Sequence, residues 1–243
     1  MDKMELFREL AEDVAKCNVC ANMLVNPHSV NSECLENDDH GLDTDTPYVN
    51  LWNLWQGDLD ADIMVIGQDF GQKEDSDSFI DVWKNGTYTN ATDVALRHLF
   101  SSAFGIDIDH SEVPLFFTNM ANCYRKQKTT GGIHNGWLPI CVHKYMARLI
   151  NIVRPKVVIV LGQVAFEALF CMDGLTVKCL NQDKASADKF SEKMQYSFWI
   201  QLGDEETRVF PVYHPGANSK RNRTLAEQEQ DWIRIAEYYD TVK

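Results

Sequence analysis

The feature that most restricts this chain is a set of short apolar runs, each ending in glycine or a polar turn. The first is Ile63-Met64-Val65-Ile66, which enters Gly67-Gln68-Asp69-Phe70-Gly71. A continuous apolar run of that length reads as a parallel strand buried on both faces, since a strand with one wet face would alternate. With this strand at 62–67, three more follow. They are Leu115–Asn119, Lys156–Leu161 closing on Gly162, and Arg208–Tyr213 running into His214-Pro215-Gly216. Helical periods lie around and between them. Residues 2–16 carry Phe7, Leu10, Ala11 and Val14 on one face, with Asp2 as a cap. Further helices are expected from Thr92 to near Gly105, from about Pro139 to Val153, over 163–171 and over about 224–239. Residues 172–206 read as a hairpin or an irregular excursion. Strands alternating with helices predict the α/β class, a three-layer α/β/α sandwich around a four-stranded parallel sheet.

Parallel strands share one carboxyl edge, and open α/β sheets bind small molecules there. Asp69, Asn119 and His214 all stand at that edge. Each also has a plainer reading: Asp closes turns, Asn caps strand ends, and His before Pro is ordinary loop chemistry.

Charge and length limit the function classes. The 243 residues read as a single domain over 1–243, with an acidic, irregular insertion at about 25–60. Hydrophobic content of 44% with 24% charged residues is that of a globular chain. No apolar run is long enough to span a membrane. The first sixteen residues are charged throughout and lack a signal-peptide core, so the expectation is a cytoplasmic monomer with no membrane partner. Net charge is −13, which argues against a nucleic-acid partner until its distribution is considered. Nine acidic residues and no Lys or Arg lie between Glu33 and Asp62. Basic residues cluster at Arg125-Lys126-Gln127-Lys128 and Lys220-Arg221-Asn222-Arg223.

Seven cysteines without a signal peptide point to thiols or metal rather than a disulfide framework. Cys17 and Cys20 close the first helix with two residues between them, and Cys123 and Cys141 follow the second strand.

Taken in order, these stretches resemble the uracil-DNA glycosylase superfamily. Gly67-Gln68-Asp69-Phe70-Gly71 is similar to its first motif, Thr118-Asn119 to its base-reading strand end, and Tyr213-His214-Pro215-Gly216 to its His-Pro motif. Cys17-x2-Cys20 with Cys123-x17-Cys141 resembles the iron–sulfur-containing, family 4-like branch. That branch usually carries Gly-Glu-Ala-Pro-Gly in the first motif, and the Gln-Asp pair here is closer to the family 1 form. The resemblance implies hydrolysis of the N-glycosidic bond of uracil, or of a related deaminated base, flipped out of single- or double-stranded DNA. Asp69 and His214 would be catalytic, and Gly67, Gln68, Phe70, Tyr88 and Asn119 would bind the base. Tyr88 is the aromatic placed to stack, with Phe70 and Phe79 as competitors. Ala217, Asn218, Lys220 and Arg221 would meet DNA. Cys17, Cys20, Cys123 and Cys141 would hold a 4Fe-4S cluster, with zinc on the same four thiolates or metal-free thiols as alternatives. The segment with Arg125, Lys126 and Lys128 would face phosphates. A different reading keeps the fold without catalysis, as a nucleic-acid-binding module or an iron–sulfur sensor.

Overall fold

The computed structural model describes residues 2–21, 24–25, 57–69, 71, 91–110, 113–125, 137–172, 174–179, 189–202, 205–216 and 222–243. Helix α1 (Lys3–Ala15) is followed by strands β1 (Leu24–Val25) and β2 (Ile63–Gly67), then α2 (Ala91–Phe104), β3 (Leu115–Asn119) and β4 (Tyr124–Arg125). Helix α3 (Trp137–Cys141) passes through a π-helical stretch (Val142–Met146) into α4 (Ala147–Val153). Then come β5 (Val157–Leu161), α5 (Gln163–Leu169), β6 (Leu175–Cys179), α6 (Phe190–Lys193), β7 (Phe198–Leu202), β8 (Glu205–Val212) and α7 (Leu225–Asp240).

The four apolar runs form the parallel centre of the sheet, in the order β3-β2-β5-β8. The class is α/β, as the sequence predicts, but the sheet has six strands rather than four and is mixed. Strands β7 and β6 add antiparallel beyond β8. The reason lies in their sequences. Leu-Thr-Val-Lys-Cys and Phe-Trp-Ile-Gln-Leu break their apolar residues with polar ones, as antiparallel strands near an edge do. They therefore lack the signal that marks a buried parallel strand. A separate two-stranded ladder pairs Leu24 with Arg125 and Val25 with Tyr124.

Period-two alternation in the central strands builds two cores. Met64, Ile66, Phe116, Val158 and Val160 face one side, where Phe7, Leu10, Leu149, Ile150 and Phe166 cover them. Ile63, Val65, Leu115, Phe117 and Ile159 face the other, under Leu96, Leu99, Phe100, Trp232 and Ile235. Phe100 meets Trp232 edge-to-face at 5.1 Å, which locks α2 to α7. Helix α7 starts at a capping box: the Thr224 hydroxyl accepts from the Glu227 N–H, and the Glu227 carboxylate accepts from the Thr224 N–H at 2.8 Å. Arg154 ends α4 in the left-handed conformation, φ 57°, ahead of Pro155. Lys3 Nζ donates to the carbonyls of Leu59 and Val153, which ties the start of α1 to the entry of β2 and the end of α4. Among the described residues, no helix is long and apolar enough to cross a membrane.

Two acidic residues are buried in this framework among the described residues: Asp231, paired with Arg223, and Asp93. Asp93, in the first turn of α2, is only 3% exposed, and its Oδ2 has no hydrogen-bond partner among the described residues. Burial raises its pKa to about 7, with Arg97 pulling it down and Asp109 pushing it up. A carboxyl whose folded pKa lies above its unfolded value stabilises the fold at low pH and loses that contribution as pH rises through about 7. Asp93→Asn should match the native chain in stability near pH 4 and exceed it increasingly up to pH 7, by about 1.4 kcal/mol per unit of raised pKa. Urea unfolding at pH 4, 5.5 and 8 checks this, and a stability difference independent of pH contradicts it.

Candidate active site

The parallel register sets Gly67 opposite Asn119 and Leu161 opposite Val212, so the turns after these strands open at one edge. Beyond the ladder, the segment after β3 stays bonded to the turn after β2. Met120 N–H donates to Gly67 O at 2.9 Å, Ala121 N–H to Gln68 O at 3.1 Å, and Arg125 N–H to Gly71 O at 2.8 Å. Gly71 takes φ +76°, which a residue with a Cβ rarely adopts.

Asp69 lies in this turn with its side chain 3% exposed. Its Oδ1 accepts from the Gly71 N–H at 2.7 Å and its Oδ2 from Gln68 Nε2 at 2.6 Å. Arg125 Nε stands 3.2 Å from Oδ1 as an ion pair. The Gly71 bond is the turn closure that the plainer reading of Asp69 expects. Oδ2 takes a donor from Gln68, and a carboxylate oxygen has room for a second. Turn closure and chemistry are thus compatible in one side chain.

Asn119 is 1% exposed, and neither its Oδ1 nor its Nδ2 has a hydrogen-bond partner among the described residues. A strand-capping role would satisfy one of them. Leaving a buried polar group unmet costs on the order of 1–3 kcal/mol. An amide with both functions unmet matches a ligand that offers a donor and an acceptor side by side.

His214 follows β8. Its Nδ1 accepts from the Gly216 N–H at 3.1 Å, which leaves Nε2 as the protonated nitrogen of the neutral ring. Burial lowers its pKa below the ordinary histidine value, and the charge of Asp69 opposes that shift. Two glycines shape its seat. Gly162, at φ +90°, would place a Cβ 3.4 Å from the His214 Cβ, and Gly216 would place one 3.0 Å from Nδ1 and 3.2 Å from Thr92 Oγ1. The start of α2 therefore meets the His214 turn, which no sequence signal indicated.

The four cysteines expected to act together converge on one side of this edge. Burial pushes the Cys123 thiol up to about 12 and that of Cys141 to about 11, and each is raised further by the charges of Cys17 and Cys20. Burial and then Cys17 raise Cys20. A backbone N–H of Asn122 bonds to Cys141 and acts the other way. A group of neighbouring thiols in which Cys20, Cys123 and Cys141 resist ionisation suits a cation that would neutralise them as thiolates. Among the described residues, no group of three or more metal-binding side chains stands at ligating separation, so the set is convergent but not closed.

Arg125, expected to face phosphates, pairs instead with Asp69. Its position two residues past Cys123 held no signal for that contact. Phe70, Tyr88, Phe79, Ala217, Asn218, Lys220 and Arg221 lie outside the described residues, as does nearly all of the acidic insertion.

The comparisons with known proteins agree with this geometry. The family model described as the uracil DNA glycosylase superfamily matches residues 54–236. The chain is 24% identical over 183 residues to the type-4 uracil-DNA glycosylase of Sulfurisphaera tokodaii, an alignment covering 75% of this chain and 72% of that one. With three-quarters of its length under that model and its strand-end residues gathered at one edge, the chain belongs to the uracil DNA glycosylase superfamily.

Proposed function

We propose that this protein is a DNA glycosylase that removes uracil, or a closely related deaminated base, from DNA. The observation that carries the reading is Asn119, a buried amide at the sheet edge with donor and acceptor both unmet among the described residues. Uracil presents a carbonyl beside an N–H on its Watson–Crick edge, and the amide would pair with both once the base is flipped out.

The remaining side chains divide the charge that bond cleavage creates. As the C1′–N1 bond breaks, the bonding electrons leave with the base and the sugar becomes oxocarbenium-like. His214 Nε2–H would donate to the base oxygen on which negative charge grows. Its ring is held neutral by burial and held in tautomer by Gly216, so no proton need be lost before it acts. Asp69, next to the sugar, would stabilise the positive centre, and the open side of Oδ2 would orient the water that adds at C1′. Gly67 and Gln68 let the backbone approach the base, and Tyr88 or Phe70 would stack on it. Ala217, Asn218, Lys220 and Arg221 would form the DNA-entering loop and its phosphate contacts.

Cys17, Cys20, Cys123 and Cys141 fit a 4Fe-4S cluster in donor type and number, and zinc would use the same four thiolates. When bound, such a group would supply a structural tie between the end of α1 and the segment after β3. Cys17 and Cys20 lie near enough to Cys123 and Cys141 to raise the pKa values of those two thiols.

Base release from uracil-, hypoxanthine- and xanthine-containing oligonucleotides, single- and double-stranded, tests the function. Asp69→Asn should lower the single-turnover rate by about 100- to 1,000-fold, the scale for a group that stabilises transition-state charge. Binding without release, or a rate indifferent to Asp69→Asn, sinks the reading in favour of a binding module. The pH profile is a separate check. Because the His214 pKa is lowered, the neutral imidazole persists on acidification, and the acid limb attributable to it should fall below about pH 6.5. A His214 limb at or above that value would contradict the neutral ring assigned to it. For the thiols, iron and acid-labile sulfide analysis of anaerobically purified protein should give a filled cluster that Cys123→Ser loses along with several degrees of Tm. Stoichiometric zinc and no iron would assign the other metal.

A further inference from the structure

We propose that Arg125 is a positioning residue for Asp69, and that through it the cysteine-bearing segment sets the geometry of the catalytic turn. The inference rests on the glycosylase reading for its consequence but not for its geometry.

Arg125 is held by its backbone on two sides. Its N–H donates to Gly71 O at 2.8 Å, and its place in β4 pairs it with Leu24 of β1. Cys123 is two residues upstream, so a group bound by the four cysteines would also hold this strand. The guanidinium Nε lies 3.2 Å from Asp69 Oδ1, with the Arg125 side chain 24% exposed and that of Asp69 3% exposed. A carboxylate taken that far out of water needs charge compensation, and the guanidinium is the cation that supplies it. The contact falls on Oδ1, the oxygen that already closes the turn on the Gly71 N–H. Oδ1 thus takes both the Gly71 N–H and the Arg125 contact, and Oδ2, which accepts from the Gln68 amide, would be the oxygen left to face the reacting atoms. Two backbone bonds from Met120 and Ala121 to Gly67 and Gln68 make the segment and the turn one unit. A phosphate that drew Arg125 away would leave the buried Asp69 carboxylate without its cation. Arg125 is therefore assigned to rate rather than to DNA affinity.

The test compares Arg125→Ala and Arg125→Lys with the native chain in two measurements. In steady-state and single-turnover release from a uracil-containing oligonucleotide, Arg125→Ala should lower kcat by about 10- to 100-fold, the scale of a misplaced catalytic group. KM should stay within about twofold, with an unchanged salt slope of binding, and Arg125→Lys should recover part of the rate. A raised KM with native kcat and a salt slope smaller by about one would make Arg125 a phosphate contact and overturn the proposal. The second measurement needs no activity. Amide hydrogen exchange at Gly71, whose N–H is held by Asp69 Oδ1, should quicken at least about tenfold in Arg125→Ala, with exchange in β5 unchanged. Unchanged Gly71 exchange overturns the proposal. If the native chain releases no base, the function reading fails, and the Gly71 exchange still decides whether Arg125 positions Asp69.

Discussion

The site depends on the parallel backbone ladder of the four central strands. Because β2, β3, β5 and β8 run the same way, their carboxyl ends lie along one edge. Gly67 faces Asn119 across one pair, and Leu161 faces Val212 across another. Residues about 50 to 150 positions apart in the chain are gathered without any contact designed between their side chains. The ladder is itself held by burial on both faces, where alternate residues of each strand enter one core or the other. Buried strand interiors leave little room for unpaired polar groups, so the candidate chemistry lies at and just past the last paired residues.

At those positions the physical logic reverses. The sheet satisfies every main-chain group it can, whereas Asn119 keeps both amide functions unmet among the described residues and His214 keeps a neutral ring in a buried seat. Asp69 is a carboxylate almost out of water, balanced by an arginine. Local consistency gives way where the sequence is under demand for function, and the departures cluster at the sheet edge. Asp93 is a departure of another kind: a buried helix carboxyl raised to about 7 and set among Arg97 and Asp109.

Much of the fold was legible because it rests on local patterns. Continuous apolar runs announced the central strands, and Leu115–Asn119 ends where the sequence placed it. Helical periods and caps placed α1, α2, α5 and α7 within a residue or two of their observed ends. The hairpin β6–β7 was only half legible, since its strands mix polar and apolar residues and owe their pairing to β8. Asp69, Asn119 and His214 were legible as strand-end residues, and the cysteine spacing marked four thiols as a group. The Arg125–Asp69 pair, the Thr92 contact at Gly216 and the burial of Asp93 were not legible, because each depends on packing between distant segments.

The sequence by itself determined the α/β class, the strands that form the centre of the sheet, and the residue types at their ends. Those follow from hydrophobic periodicity and turn chemistry, which act over a few residues. Only the tertiary structure decided that the sheet has six strands and that Arg125 pairs with Asp69. It also decided that Gly216 sets the His214 tautomer and that Asn119 finds no partner among the described residues. Each of these is a matter of which atoms lie within a few ångströms of one another. That is set by how the helices and turns close over the sheet, and no pattern along the chain encodes it.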